Sequence, residues 1–358
     1  MWGRSSLILV LSVLSGILCQ REPVLADDLP HLVQKGREAF QRGDFDDAER
    51  YHREAVAYAA RTGDEVQKAE RLSDLGGVLF ARGQHAEART VCLQALGVLR
   101  NAPSKRYLPV VLNNLGALSS QHAEFVQAES YLMESLRVID ELNPRDPYRA
   151  RVLNNLGALH YATGNNKRAE SDFRQAIELL EGVHGPNNSE LVPFLNNLGG
   201  VYVAEKKWDA AGALFNRALS LLKDSSGPNA AGVFDHIGMM HSGRRKYEEA
   251  QDAFRKSYQI RLEVFGKGHP AVASSAANLA SALSEMGQYS EAEDLLKDAL
   301  RTYETIFGFQ SLQVMTTLEK LTAVFRRTGR EEEAVLTEER AKDIRFEREH
   351  VVRANALR

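Results

Sequence analysis

The sequence predicts an all-α chain, a solenoid of eight helix-turn-helix units stacked in a line, and three observations carry that prediction. Leu112-Asn113-Asn114-Leu115-Gly116 recurs as Leu153-Asn154-Asn155-Leu156-Gly157 and as Leu195-Asn196-Asn197-Leu198-Gly199, at intervals of 41 and 42 residues. A fixed period of this size marks a stacked repeat. With the glycine as register mark, five further copies fall into line, marked by Gly36, Gly76, Gly238, Ala280 and Thr322. Two columns of small residues then run through all eight copies. Twelve residues past the mark stand Ala48, Ala88, Ala128, Ala169, Ala211, Ala250, Ala292 and Ala334. Nineteen past it stand Ala55, Ala95, Ser135, Ala176, Ala218, Ser257, Ala299 and Ala341.

The columns have a steric cause. Small side chains let two antiparallel helices approach, while the leucine before the mark fills the seam between them. Sixteen residues past the mark the central units carry Leu132, Phe173 and Phe215. Seven past it, Gly43, Gly83, Gly164, Gly287 and Gly329 supply the left-handed conformation that ends a helix. Ala123, Lys206 and Arg245 interrupt that column and leave the turn type of their units open.

Along the chain, residues 1–26 read as an export signal. Arg4 precedes an apolar run from Leu7 to Leu18, too short for a comfortable helical span, and Val24-Leu25-Ala26 has the form of a cleavage site. An uncleaved anchor is the competing reading. Lipid attachment at Cys19 fits poorly, with the bulky Leu18 beside it. Removal of the segment would leave Cys92 as the remaining cysteine, excluding an intrachain disulfide; it reads as a small buried hydrophobe. The solenoid is expected over 27–341, with units near 30–64, 66–105, 107–146, 148–188, 190–228, 230–270, 272–310 and 313–341. First helices are expected to start near His31, Gln67, Leu108, Tyr148, Glu190, Ala230, Val272 and Gln313, and second helices to run about 16 to 18 residues. Polar Pro-, Gly- or Asn-bearing connections join the units, as at 184–189 and 265–270. Lys35 and His52 in the first unit, and Thr322 and Glu338 in the last, read as polar replacements on exposed capping faces. A charged helix is expected from Glu331, with 342–358 extending beyond the last unit.

The leucine-glycine mark, the alanine columns and the aromatic positions resemble the tetratricopeptide repeat. The unit length here is 39 to 42 residues, against about 34 in the ordinary form. The doubled asparagine, with loops such as Gly185-Pro186-Asn187-Asn188 and Phe265-Gly266-Lys267-Gly268-His269-Pro270, is similar to repeats of the kinesin light chain type. The resemblance covers roughly 30 to 341 and implies a right-handed superhelix with a concave face.

Several functions are excluded or weakened. A net charge of −3 provides no basic excess for nucleic acid; loss of Arg4, Arg21 and Glu22 with the first 26 residues makes it −4. No Cys-x-x-Cys, His-Glu-x-x-His or phosphate loop occurs, and His236 and His241 are wrongly spaced for one helical face. An enzyme, a metal site and a cofactor are therefore not expected.

The asparagine pairs are the one polar feature that repeats. Each asparagine costs on the order of 0.5 kcal/mol in a helix interior relative to alanine, so a non-local reason is required. The first points about 110°, and the second about 150°, from the face that meets the partner helix. Both therefore face the concave groove or the next repeat. In one reading, which the resemblance implies, Asn113, Asn114, Asn154, Asn155, Asn196, Asn197 and Asn278 grip the backbone of an extended peptide. Arg151 adds charge on the same side, as do Lys320 and Arg326. In the other reading the amides tie neighbouring helices together. The expected function is a non-catalytic protein-interaction scaffold, exported, binding a peptide or partner protein in an open trough. The alternative is a regulator whose repeats close around a small signalling peptide.

Overall fold

The computed structural model describes residues 29–222 and 226–356, so the expected export signal lies outside the described residues. The first four units are α1 (Leu29–Arg42) with α2 (Phe45–Thr62), α3 (Glu65–Ala81) with α4 (His85–Leu99), α5 (Leu108–Gln121) with α6 (Phe125–Leu142), and α7 (Tyr148–Ala162) with α8 (Asn166–His184). The last four are α9 (Val192–Ala204) with α10 (Trp208–Ser220), α11 (Pro228–Gly243) with α12 (Tyr247–Phe265), α13 (Pro270–Glu285) with α14 (Tyr289–Phe307), and α15 (Leu312–Arg327) with α16 (Glu331–Ala356). The described residues form a right-handed solenoid. First helices begin within about two residues of their expected starts. The expected length of the second helices fails at α10, which is 13 residues long and ends at Ser220; Asp224, Ser225 and Gly227, weak helix formers, follow it.

The small columns are the contact between the helices of each unit. All eight alanines twelve past the mark are fully buried, and the column nineteen past it is at most 3% exposed. The mark itself is explained by what it faces. A Cβ on Gly157 would lie 2.7 Å from the Phe173 ring, one on Gly199 2.3 Å from Phe215, and one on Gly116 2.6 Å from Leu132. The large side chain of the second helix thus lies across the bare backbone of the first. Cys92 occupies this position against Gly76, fully buried, and burial pushes its thiol up to about 12, which keeps it unreactive.

All eight turns share one geometry. The residue seven past the mark has φ between 59° and 80° in every unit, Ala123, Lys206 and Arg245 included. The next residue donates its N–H to a carbonyl five residues back, as Asn165 does to His160 at 2.8 Å and Lys207 to Tyr202 at 2.8 Å. This bond satisfies a carbonyl that the helix end would otherwise leave orphaned.

Two expectations need correction. Neither His52 nor Thr322 is an exposed cap residue: His52 is 3% exposed and lies against Gly36, because α2 needs a bulky group there as other units do, and Thr322 is 5% exposed and donates to the Leu318 carbonyl at 2.9 Å. The trough is not open along its length either. The stack comes round so that turns of the first two units meet the loops after α12 and α14, through Phe45 stacked on Phe265 at 5.3 Å and His85 against Phe307 at 5.4 Å. At the other end Glu338 is half-exposed and paired with Arg326, as a cap should be.

Candidate functional site: the inner wall

First helices of successive units touch one another from α3 to α15, whereas among the described residues second helices have no comparable contact. The odd-numbered helices therefore line the concave side, where a curved stack is crowded, and the asparagine pairs lie on them.

The structure brings the pairs together as rungs. Asn155 Nδ2 donates to Asn113 Oδ1 at 2.8 Å, and Asn197 Nδ2 to Asn154 Oδ1 at 2.9 Å. In each, the second position of one unit donates to the first position of the unit before. Other pairs keep the register with different groups. Asn114 Nδ2 reaches the Ser73 carbonyl at 3.0 Å, His236 Nδ1 lies 2.9 Å from Asn196 Oδ1, and Lys320 Nζ donates to the Ala277 carbonyl at 3.0 Å. Asn278 faces Asp235 in the same register. Asn113 also donates to the Tyr148 hydroxyl at 3.2 Å.

Both asparagine columns thus tie neighbouring helices, the second of the two readings. Ligand contact is left to what the rungs do not use. An amide has two N–H donors and a carbonyl with two lone pairs, and a rung takes one of each. Asn113 and Asn196 are buried, while Asn114, Asn154, Asn155, Asn197 and Asn278 are half-buried. Arg151 is exposed, with no carboxylate in ion-pair distance among the described residues. Lys320 and Arg326 differ from it: burial lowers the Lys320 ammonium, whose charge is turned to a carbonyl, and Arg326 is neutralised by Glu338 at 2.8 Å. Small side chains complete the wall, among them the exposed Ala158, one helical turn from Asn155.

Sequence reasoning missed two buried ion pairs. Arg261 on α12 meets Asp235 Oδ2 at 2.7 Å and also donates to Ser275 Oγ at 2.9 Å and the Ala271 carbonyl at 3.1 Å. Burial raises the Asp235 carboxyl, with Arg261 opposing that shift. Arg71 on α3 meets Asp74 at 3.4 Å and donates to the Tyr107 hydroxyl at 2.8 Å. The signal for both was a charge at an otherwise apolar or amide register position. Among the described residues no group of His, Cys, Asp and Glu is placed to hold a metal ion, and no helix is long and apolar enough to cross a membrane.

The family model described as tetratricopeptide repeat matches residues 66–141, 107–182 and 230–305, together more than half of the chain. No curated protein sequence matches. Among solved structures, a Rap protein complexed with competence and sporulation factor is similar over 90% of this chain and 99% of its own, with a TM-score of 0.60 at 11% identity. BtubC (BKLC) from P. vanneervenii is 20% identical over 62% of this chain and 90% of its own, with a TM-score of 0.49. A putative kinesin light chain with nearly identical repeats from Podosopora anserina is 17% identical over 57% and 98%, with a TM-score of 0.46.

Proposed function

The chain belongs to the tetratricopeptide repeat family, and from that premise we propose that it is a non-catalytic scaffold that binds an extended peptide or a partner protein along its inner wall. The observation that carries this reading is the wall itself: first helices in contact from α3 to α15, amide groups with unused bonding capacity, the exposed Ala158, and Arg151 with no ion-pair partner among the described residues. Asn155 Oδ1, Asn197 Oδ1 and Asn154 Nδ2 enter no protein hydrogen bond among the described residues and stand ready for a peptide backbone. Arg151 would favour an acidic group on the bound segment.

The contact of the first two units with the sixth and seventh supports a second reading, a regulator that closes around a short peptide. Likeness in fold to the Rap protein complex is compatible with it. Residues 1–26 further suggest that the scaffold acts outside the cytoplasm.

Affinity capture from the native host tests the groove. Arg151→Glu combined with Ala158→Arg reverses the charge and fills the wall, and partners held by the wild type are expected to be lost while circular dichroism stays unchanged. Equal capture by the variant would move binding off the inner wall.

A further inference from the structure

The meeting of the first two units with the sixth and seventh is built from histidines and aromatic rings. Phe265, at the end of α12, lies between Phe45 of α2 and His269, with ring centroids 5.3 Å and 4.2 Å away. His269 Nε2 lies 3.1 Å from the carbonyl of Ala81, 188 residues distant in sequence, and Pro270 abuts Gly83, where an added Cβ would lie 3.0 Å from the proline ring. His85, the first residue of α4, stacks on Phe80 at 5.3 Å and meets Phe307 at 5.4 Å and His122 at 6.0 Å.

Hydrogen-bond direction fixes the state of His269. Its Nδ1 accepts from the Ala271 N–H at 3.1 Å, capping α13, while its Nε2 faces a carbonyl, which can only accept. Both contacts are made at once only by the neutral ring protonated on Nε2. A second proton on Nδ1 would turn it against the Ala271 N–H and set a cation at a helix N-terminus.

We propose that this seam is an acid-released latch: protonation of His269, together with His85 and His122 beside it, parts the first two units from the sixth and seventh and opens the superhelix without melting its repeats. Among the described residues, no carboxylate near these rings is free to receive the new charges. His269 faces the Phe265 ring and Pro270 and lies near the guanidinium groups of Arg82 and Arg261. Arg82 already holds Asp46 at 2.5 Å and pairs with Glu49, and Arg261 holds Asp235. His85 faces His122, His269, Phe80 and Phe307, and its buried Nδ1 has no partner. His122 faces Arg89 and Glu124, which pair with each other.

Burial lowers all three histidines, His85 to about 4. The closed form therefore binds protons less readily than an open form with ordinary histidines near 6.5. Closure is at full strength above that value and weakens as pH falls below it toward about 4. The inference stands on the seam alone and does not require a peptide on the inner wall.

Small-angle scattering and circular dichroism of the full chain, taken from about pH 7.5 down to about pH 5, test it. The expected result is a shift of the interatomic distance distribution to longer distances at constant helicity. Phe265→Ala is expected to show the longer distances already at the higher pH. A variant carrying His85→Gln, His122→Gln and His269→Asn is expected to lose the pH response. An unchanged wild type, expansion that comes only with loss of helicity, a Phe265→Ala protein as compact as the wild type, or an undiminished response in the triple variant would each overturn the latch.

Discussion

Units three to five and units six to eight make the same inner contact with different chemistry. In the first group the rungs are neutral amides, Asn155 to Asn113 and Asn197 to Asn154. In the second the register holds His236, Asp235 and Lys320, groups that titrate or carry charge. The difference teaches that what the register demands is a donor on one helix and an acceptor on the one before it. Amides meet that demand without the cost of burying an ion, whereas Asp235 needs Arg261 to do so.

The largest effect should come from breaking the charged half. Arg261→Ala leaves the Asp235 carboxylate buried without its counter-charge and is expected to cost about 3 kcal/mol or more in urea unfolding. Asn154→Ala removes an acceptor from a half-buried amide and should cost only about 1 kcal/mol. Equal costs would erase the distinction between the two halves.

Acid sharpens the same comparison. Burial holds the His236 ring down to about 4. A base lowered in the folded state stabilises fully above its ordinary value near 6.5, and that contribution is lost as pH falls below it. His236→Asn converts this rung into the amide form, so its melting temperature should fall less between about pH 7 and about pH 5 than that of the wild type. Parallel pH curves would remove His236 from the account.

The smallest effect concerns the turns. Lys206 is held at φ 59°, where a Cβ is strained, while Gly164 does the same work at φ 79°. Lys206→Gly should stabilise by about 1 kcal/mol in thermal or urea melts, and Gly164→Ala should destabilise by a similar amount.

Much of the fold was legible in the sequence because its cause is local and steric. Only alanine or serine fits the two buried columns, and only glycine fits beneath Phe173 and Phe215, so the pattern appears directly in residue identity. The turns at Ala123, Lys206 and Arg245 were not legible. A local penalty of about 1 kcal/mol is easily overridden by the packing on either side. Helical periodicity directed the asparagines away from their own partner helix but could not choose between a ligand and a neighbour. That choice depends on the distance between successive helices, which no single unit encodes. The contact of Phe45 with Phe265 lay still further from view, because it follows from small rotations accumulated over many units.

The meeting of the first two units with the sixth and seventh also fixes how many modules lie between them. An open array can gain or lose a module with little consequence beyond its length. Here a module added or deleted between the joined units would carry Phe265 and His269 past the positions of Phe45 and Ala81, and the circuit would fail to join. Such a chain is free to drift in sequence within each module, but not in how many separate the two sides of the seam.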